Sequence, residues 1–207
     1  MHINQIIPIF ANRNDKKEDM GKLFFTSDLH FNHDREFIYQ PRGYNSIAEM
    51  NQGIINNWNS VVSDDDTVYV LGDLMLGGFD SIQPGLDLIK QLKGHIHVII
   101  GNHDTDTRIN AYKMLENITS VEFGNRFKYQ GRSFFLSHYP TETSNLDSDA
   151  YSCTINLHGH THSKEKFNMG KPYQYNVALD AHNCFPVCIE EIIKDFWNEV
   201  DKCKKQL

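Results

Sequence analysis

Short runs of apolar, β-branched and aromatic residues recur along the chain, each stopped abruptly by polar residues or glycine. Leu23–Ser27, Thr67–Leu71, Ile96–Ile100, Ser133–Ser137, Thr154–His158 and Tyr175–Leu179 have the length and composition of strands. Between them lie segments that predict helices over Ser46–Val61, Gln83–Leu92, Arg108–Leu115 and Ile189–Lys202. Ser46, with Glu49 three residues on, has the form of a helix N-cap. In the last helix Ile189, Ile192, Ile193, Phe196 and Trp197 have helical spacing, the pattern of a helix packed on a core. Strands alternating with helices predict an α/β layered fold whose sheets are covered by helices. The charged stretch Asn14–Asp19 comes just before the first strand. Residues 1–20 therefore read as an N-terminal extension and residues 21–207 as one domain.

Composition narrows the class. A hydrophobic fraction of 40% and a charged fraction of 23% are those of a soluble globular chain. No apolar run reaches the roughly 18 residues that a membrane span needs. The start, Met1–Phe10, has neither the basic opening nor the cleavage site of a signal peptide, so a cytoplasmic location is expected. Cys153, Cys184, Cys188 and Cys203 contain no C-x-x-C pair and read as free thiols in a reducing compartment. The net charge of −7 argues against a broad basic surface for nucleic acid.

The chemistry lies at the carboxyl ends of the strands. One ends in Ser27-Asp28-Leu29-His30, the next in Leu71-Gly72-Asp73, the next in Ile100-Gly101-Asn102-His103-Asp104. Two more end in Ser137-His138 and in His158-Gly159-His160-Thr161-His162. In α/β sheets ligands bind beyond the carboxyl ends of strands, where loops diverge. Asp28 and His30 are two apart, as are His160 and His162, so extended backbone would point each pair to one side. Glycines before Asp73, Asn102 and His160 permit tight turns and close approach. Each piece alone has a bland reading as a capped turn or a hydrogen-bonded histidine. Repeated at the end of one strand after another, the pieces predict a metal site. The mix of carboxylate, imidazole and amide suits Mn2+, Fe2+ or Zn2+ better than Ca2+ or Cu(I).

In this order the motifs Asp28-x-His30, Gly72-Asp73, Gly101-Asn102-His103-Asp104, His138 and Gly159-His160-x-His162 resemble those of the calcineurin-like metallophosphoesterases. The resemblance runs from about Leu23 to Pro186. Thr26–His33 together with Asn57-Trp58-Asn59 is similar to small, uncapped bacterial and phage members. The resemblance implies a sandwich of two β-sheets flanked by helices, with two divalent metal ions: Mn2+ foremost, with Fe, Zn or Ni as alternatives. Asp28, His30 and His162 would hold one ion, and Asn102, His138 and His160 the other. Asp73 would bridge both, and a metal-bridging hydroxide would attack the phosphorus. It also assigns His103 to the substrate, with Asp104 orienting its imidazole.

His33 and Arg42 are candidate substrate contacts, Arg42 as a phosphate clamp, and Tyr139 a candidate stacking or packing residue. His158 reads as a buried, satisfied histidine, His95 and His97 as solvent-facing, and His182, near the end of the matched region, is not counted among the site residues. The expected function is hydrolysis of a phosphomonoester or small, nucleotide-like phosphodiester. The alternatives are a nuclease on the same centre, disfavoured by the acidic chain, and a non-catalytic protein-binding scaffold, disfavoured by the intact constellation.

Overall fold

The computed structural model describes residues 21–78, 80, 82–143 and 154–205, so the predicted extension and Cys153 lie outside the described residues. The first sheet has the order β10-β1-β2-β3-β4. Its strands β1 (Leu23–Thr26), β2 (Thr67–Val70), β3 (His95–Ile99) and β4 (Ile118–Glu122) run parallel, and β10 (Val187–Cys188) pairs antiparallel with β1. The second sheet has the order β5-β6-β7-β9-β8. In it β6 (Arg132–Leu136), β7 (Ile155–His158) and β9 (Lys171–Asn176) are parallel. The edge strands β5 (Asn125–Tyr129) and β8 (Phe167–Asn168) are antiparallel to their neighbours.

Alternation along the first sheet divides the interior into two cores. Phe24, Val68, Val70, Ile96 and Val98 face helices α1 (Glu36–Tyr39), α2 (Ile47–Val61), α3 (Ile82–Ile89) and α4 (Asp106–Tyr112). Phe25, Tyr69, Leu71 and Ile99 face the second sheet, meeting Phe134, Leu136, Ile155, Leu157 and Tyr175. Helix α5 (Ile189–Lys205) closes this second core with Ile189, Ile192 and Phe196, as its spacing predicts. A strand buried on both faces reads as continuously apolar, which is why β1 and β2 stand out in the sequence.

Ser46 caps α2 by accepting from the Glu49 backbone N–H at 3.2 Å. The Asn57-Trp58-Asn59 stretch ties that helix to the rest of the chain. Asn57 donates to Cys184 O, the Trp58 indole to Lys93 O at 2.9 Å, and Asn59 to Gln91 O. Trp58 is fully buried. Trp58→Ala therefore lowers the unfolding free energy by about 3–5 kcal/mol, through an unfilled volume and an orphaned carbonyl. Urea denaturation checks this, and a loss below about 1 kcal/mol would contradict the packing.

Strands and α-helices absent from the sequence reading are α1, β4, β5, β8 and β10, and the strand read over Tyr175–Leu179 instead spans Lys171–Asn176, with Leu179–Ala181 in a 3-10 turn. Strand β5 alternates polar and apolar at a half-exposed edge and carries Arg126 and Lys128, so it lacks the apolar run of a central strand. His97 is not solvent-facing: it is half-buried, stacks on Tyr69 at 4.8 Å, and shares a 2.8 Å hydrogen bond with Ser120 Oγ. No helix among the described residues is long and apolar enough to cross a membrane.

Candidate metal centre

The parallel strands of both sheets end at one rim, and a backbone bridge from Ser27 to Ala178 joins the sheets there. The loop after β1 is sewn to the loop after β2: Asp28 N–H donates to Gly72 O and His30 N–H to Asp73 O, both at 3.0 Å. This rim carries Asp28, His30, Asp73, Asn102, His138, His160 and His162 into one cluster. The two-apart pairs do not converge through extended backbone as the sequence suggests. Asp28, His30, Asp73, His160 and His162 all have positive φ, between 49° and 69°. Left-handed turns at these residues fold each side chain back toward the cluster, a conformation that persists only where surrounding contacts impose it.

The glycines have the roles their positions suggest. A Cβ on Gly159 would lie 2.2 Å from Ser27 Oγ and 2.4 Å from Asp28 Oδ2. Gly72, at φ +93°, passes so close to His138 that a Cβ would meet its Nδ1 at 2.5 Å.

Hydrogen bonding at the cluster leaves acceptors facing acceptors. Asp28 Oδ2 accepts from Ser27 Oγ at 2.6 Å and from His160 N–H at 2.9 Å. Its other oxygen, Oδ1, is buried without a hydrogen-bond partner and lies 3.8 Å from Nε2 of both His30 and His162. A backbone carbonyl only accepts, so His138 donates from Nδ1 to Leu71 O at 2.7 Å. The His138 Nε2 lone pair is thereby turned toward Asn102 Oδ1 at 2.7 Å and Asp73 Oδ2 at 3.5 Å. His162 donates from Nδ1 to Asp180 at 3.1 Å and presents Nε2 to His30 Nε2, also 3.1 Å away. His160 Nδ1 is 2.9 Å from Asn102 Oδ1. In the neutral His138 ring the Nε2 lone pair faces an amide oxygen and a carboxylate, an arrangement that repels unless a cation lies among them.

Two groupings emerge. Asp28, His30 and His162 converge in one, and Asp28, Asp73 and His138 in the other, where Asn102 Oδ1 lies against His138 Nε2 and His160 Nδ1. Asp73 links the two, its Oδ2 3.9 Å from His30 Nε2 and 3.5 Å from His138 Nε2. Anchoring the far nitrogen on a carboxylate or a carbonyl, as in His162 and His138, is how proteins orient imidazole ligands. Burial, then the neighbouring His162, lowers the His30 pKa, which keeps the ring neutral and able to donate a lone pair. Burial chiefly raises the Asp73 pKa.

His103 stands beside the cluster, its ring 5.6 Å from that of His30, and its backbone N–H donates to Asp73 Oδ1 at 2.9 Å. His33 folds over the same edge, with Nδ1 3.3 Å from His30 Nδ1. Tyr139 is half-exposed and packs edge-on against His138 and His160.

Asp104 has another task than orienting the His103 ring. Its Oδ2 accepts from the backbone N–H groups of Asp73 and Gly101, and its Oδ1 from Tyr112 Oη, so it binds together two of the loops that carry the cluster. Arg42 is likewise no free phosphate clamp. Its guanidinium is buried, pairs with both oxygens of Asp180 at 2.8 and 3.0 Å, and donates to Asp28 O and Leu29 O. His182 does not reach the cluster; it donates to Asn176 O in the interior. His158 is buried and bonded to Gly159 O and Asn168, as expected.

Asp180 itself belongs to no motif and was missed. Burial would raise its pKa, but hydrogen bonds from His162 and Arg42 hold it well below the usual carboxylate range. The hydrogen bond to Asp180, in turn, raises the His162 pKa.

Residues 22–177 match the calcineurin-like phosphoesterase superfamily domain. An uncharacterized protein of Methanocaldococcus jannaschii is 34% identical over 182 residues, spanning 84% of this chain and 91% of its own. The Gene 66 protein of Mycobacterium phage L5 is 30% identical over 165 residues, spanning 70% of this chain and 79% of its own. A protein of unknown function from Aquifex aeolicus has a similar fold, with a TM-score of 0.62 at 24% identity over 84% of this chain and 98% of its own.

Proposed function

The chain belongs to the calcineurin-like phosphoesterase superfamily, and on that premise we propose that it hydrolyses a phosphomonoester or small, nucleotide-like phosphodiester with two divalent metal ions. The observation that carries this reading is the buried, partnerless Asp28 Oδ1 facing two imidazole nitrogens, beside a second group of converging lone pairs. The donor set fits two ions of the Mn2+, Fe2+ or Zn2+ class. Asp28, His30 and His162 would hold one, Asn102, His138 and His160 the other, and Asp73 would contribute to both.

When bound, such ions make a hydroxide available at neutral pH and neutralise charge on the phosphoryl oxygens. The protein supplies the rest. Asp180 and Leu71 O fix the His162 and His138 tautomers so that both present Nε2. Asp104 holds the Asp73 and Gly101 loops in register. His103, half-buried beside the cluster and not among the proposed ligands, donates a proton to the leaving oxygen.

Metal-stripped protein given Mn2+ should turn over p-nitrophenyl phosphate, bis-p-nitrophenyl phosphate, or both, and should bind two ions per chain by equilibrium dialysis. Absence of bound metal, with no turnover of either ester, would overturn the proposal.

A further inference from the structure

A cavity of about 550 Å3 adjoins the cluster, walled among others by His33, Asp34, Arg35, Gly77 and Arg108. Its wall residue His33 touches the cluster, with Nδ1 3.3 Å from His30 Nδ1. The cavity is tied to His103 through Arg108, which donates to the backbone carbonyls of His103 and Gly77. Those two bonds use two of the five guanidinium N–H groups and neutralise no charge, because carbonyls carry none. Arg42 offers the contrast: its charge is matched by both oxygens of Asp180. Among the described residues no carboxylate lies within ion-pair distance of Arg108 or of the exposed Arg35. Asp34 is the single acid on the wall. Two unmatched guanidinium groups in an otherwise acidic protein mark a place for an anion.

A wider cleft of about 660 Å3 lies beside α5, and its Lys166 is already paired with Glu191 and Asp195.

In an in-line displacement the leaving group departs on the side of the proton donor, and the cavity lies on the His103 side. We infer that this cavity receives the leaving group and selects one that carries a second phosphoryl group, recognised by Arg35 and Arg108. The inference rests on the proposed hydrolysis at the metal centre. Phe37, 70% exposed and edge-on to His33 at 5.7 Å, supplies an aromatic face nearby, so a nucleotide leaving group satisfies both features.

The test is binding of thymidine 3′-monophosphate and of thymidine to the full-length, metal-loaded protein and to Arg35→Gln. The parent binds the monophosphate at least about tenfold more tightly than the nucleoside, and Arg35→Gln loses about tenfold of that preference. A preference unchanged in Arg35→Gln overturns the inference, since the phosphate then sits elsewhere, as on the metals. Equal binding of the two compounds to the parent overturns it as well. Turnover of thymidine 3′,5′-bisphosphate against thymidine 5′-monophosphate gives a second reading, with the bisphosphate favoured in the parent and less so in Arg35→Gln. Turnover of p-nitrophenyl phosphate separates the two ideas. If it occurs without any preference for the second phosphate, the cavity assignment alone fails; if it never occurs and no metal binds, the metal-centre reading fails.

Discussion

Asp73→Asn lowers metal-dependent turnover by on the order of 1,000-fold while leaving the protein folded. The loss corresponds to about 4 kcal/mol of transition-state stabilisation, a reasonable share of what a metal pair contributes. The substitution is conservative in shape. Asparagine keeps the Oδ1 acceptor that receives the His103 N–H at 2.9 Å and removes the charge shared between His30 and His138.

The stability consequence has a definite sign. Burial, with Asp28 and Asp104 nearby, raises the Asp73 pKa in the folded chain. A raised carboxyl pKa contributes stability that is fully present below the ordinary aspartate range and is lost as pH climbs through the raised value. At neutral pH the metal-free parent carries that cost, and metal-free Asp73→Asn does not, so its Tm equals or exceeds the parent's. Adding Mn2+ reverses the order, because ligand binding stabilises chiefly the chain that retains the charge. Residual turnover above a tenth of the parent's, or a metal-free variant melting well below the parent, would count against the assignment of Asp73.

His103→Ala lowers kcat by about 100- to 1,000-fold, the range for loss of a positioned proton donor, and leaves two ions bound. The imidazole makes no hydrogen bond to any described residue, so its removal strands no buried partner. Its backbone contacts, the N–H to Asp73 and the carbonyl to Arg108, survive the change. Metal analysis and steady-state kinetics on the same sample decide the matter. Metal lost in step with activity would place His103 among the ligands.

Much of the site is legible in the sequence because buried parallel strands advertise themselves. Phe24-Phe25 and Val68–Leu71 serve two cores at once, so their ends are easy to locate, and the polar residues just beyond them stand out. What cannot be read is pairing across distance. Arg42 looks like a free guanidinium until Asp180, 138 residues away, is found against it. Asp180 has no motif of its own, because its role depends on a His162 tautomer that only tertiary structure reveals. Asp104 carries the right chemistry to orient His103 and the right sequence position, yet a buried Tyr112 and two backbone amides claim both of its oxygens. The edge strand β5, with Arg126 and Lys128, lies beyond any reading that looks for apolar runs.

The left-handed turns at Asp28, His30, Asp73, His160 and His162 bear on which letters this rim can spell. Coordination alone would admit glutamate and cysteine at such positions. Backbone alone would favour glycine, which brings no donor atom. Aspartate and histidine, with asparagine, are the donor-bearing residues that enter the left-handed region most readily. Two independent filters, one chemical and one conformational, therefore leave a vocabulary of three residue types, of which aspartate and histidine fill these five positions. A replacement chosen for its affinity for a metal would still have to bend the chain the same way before it could reach one.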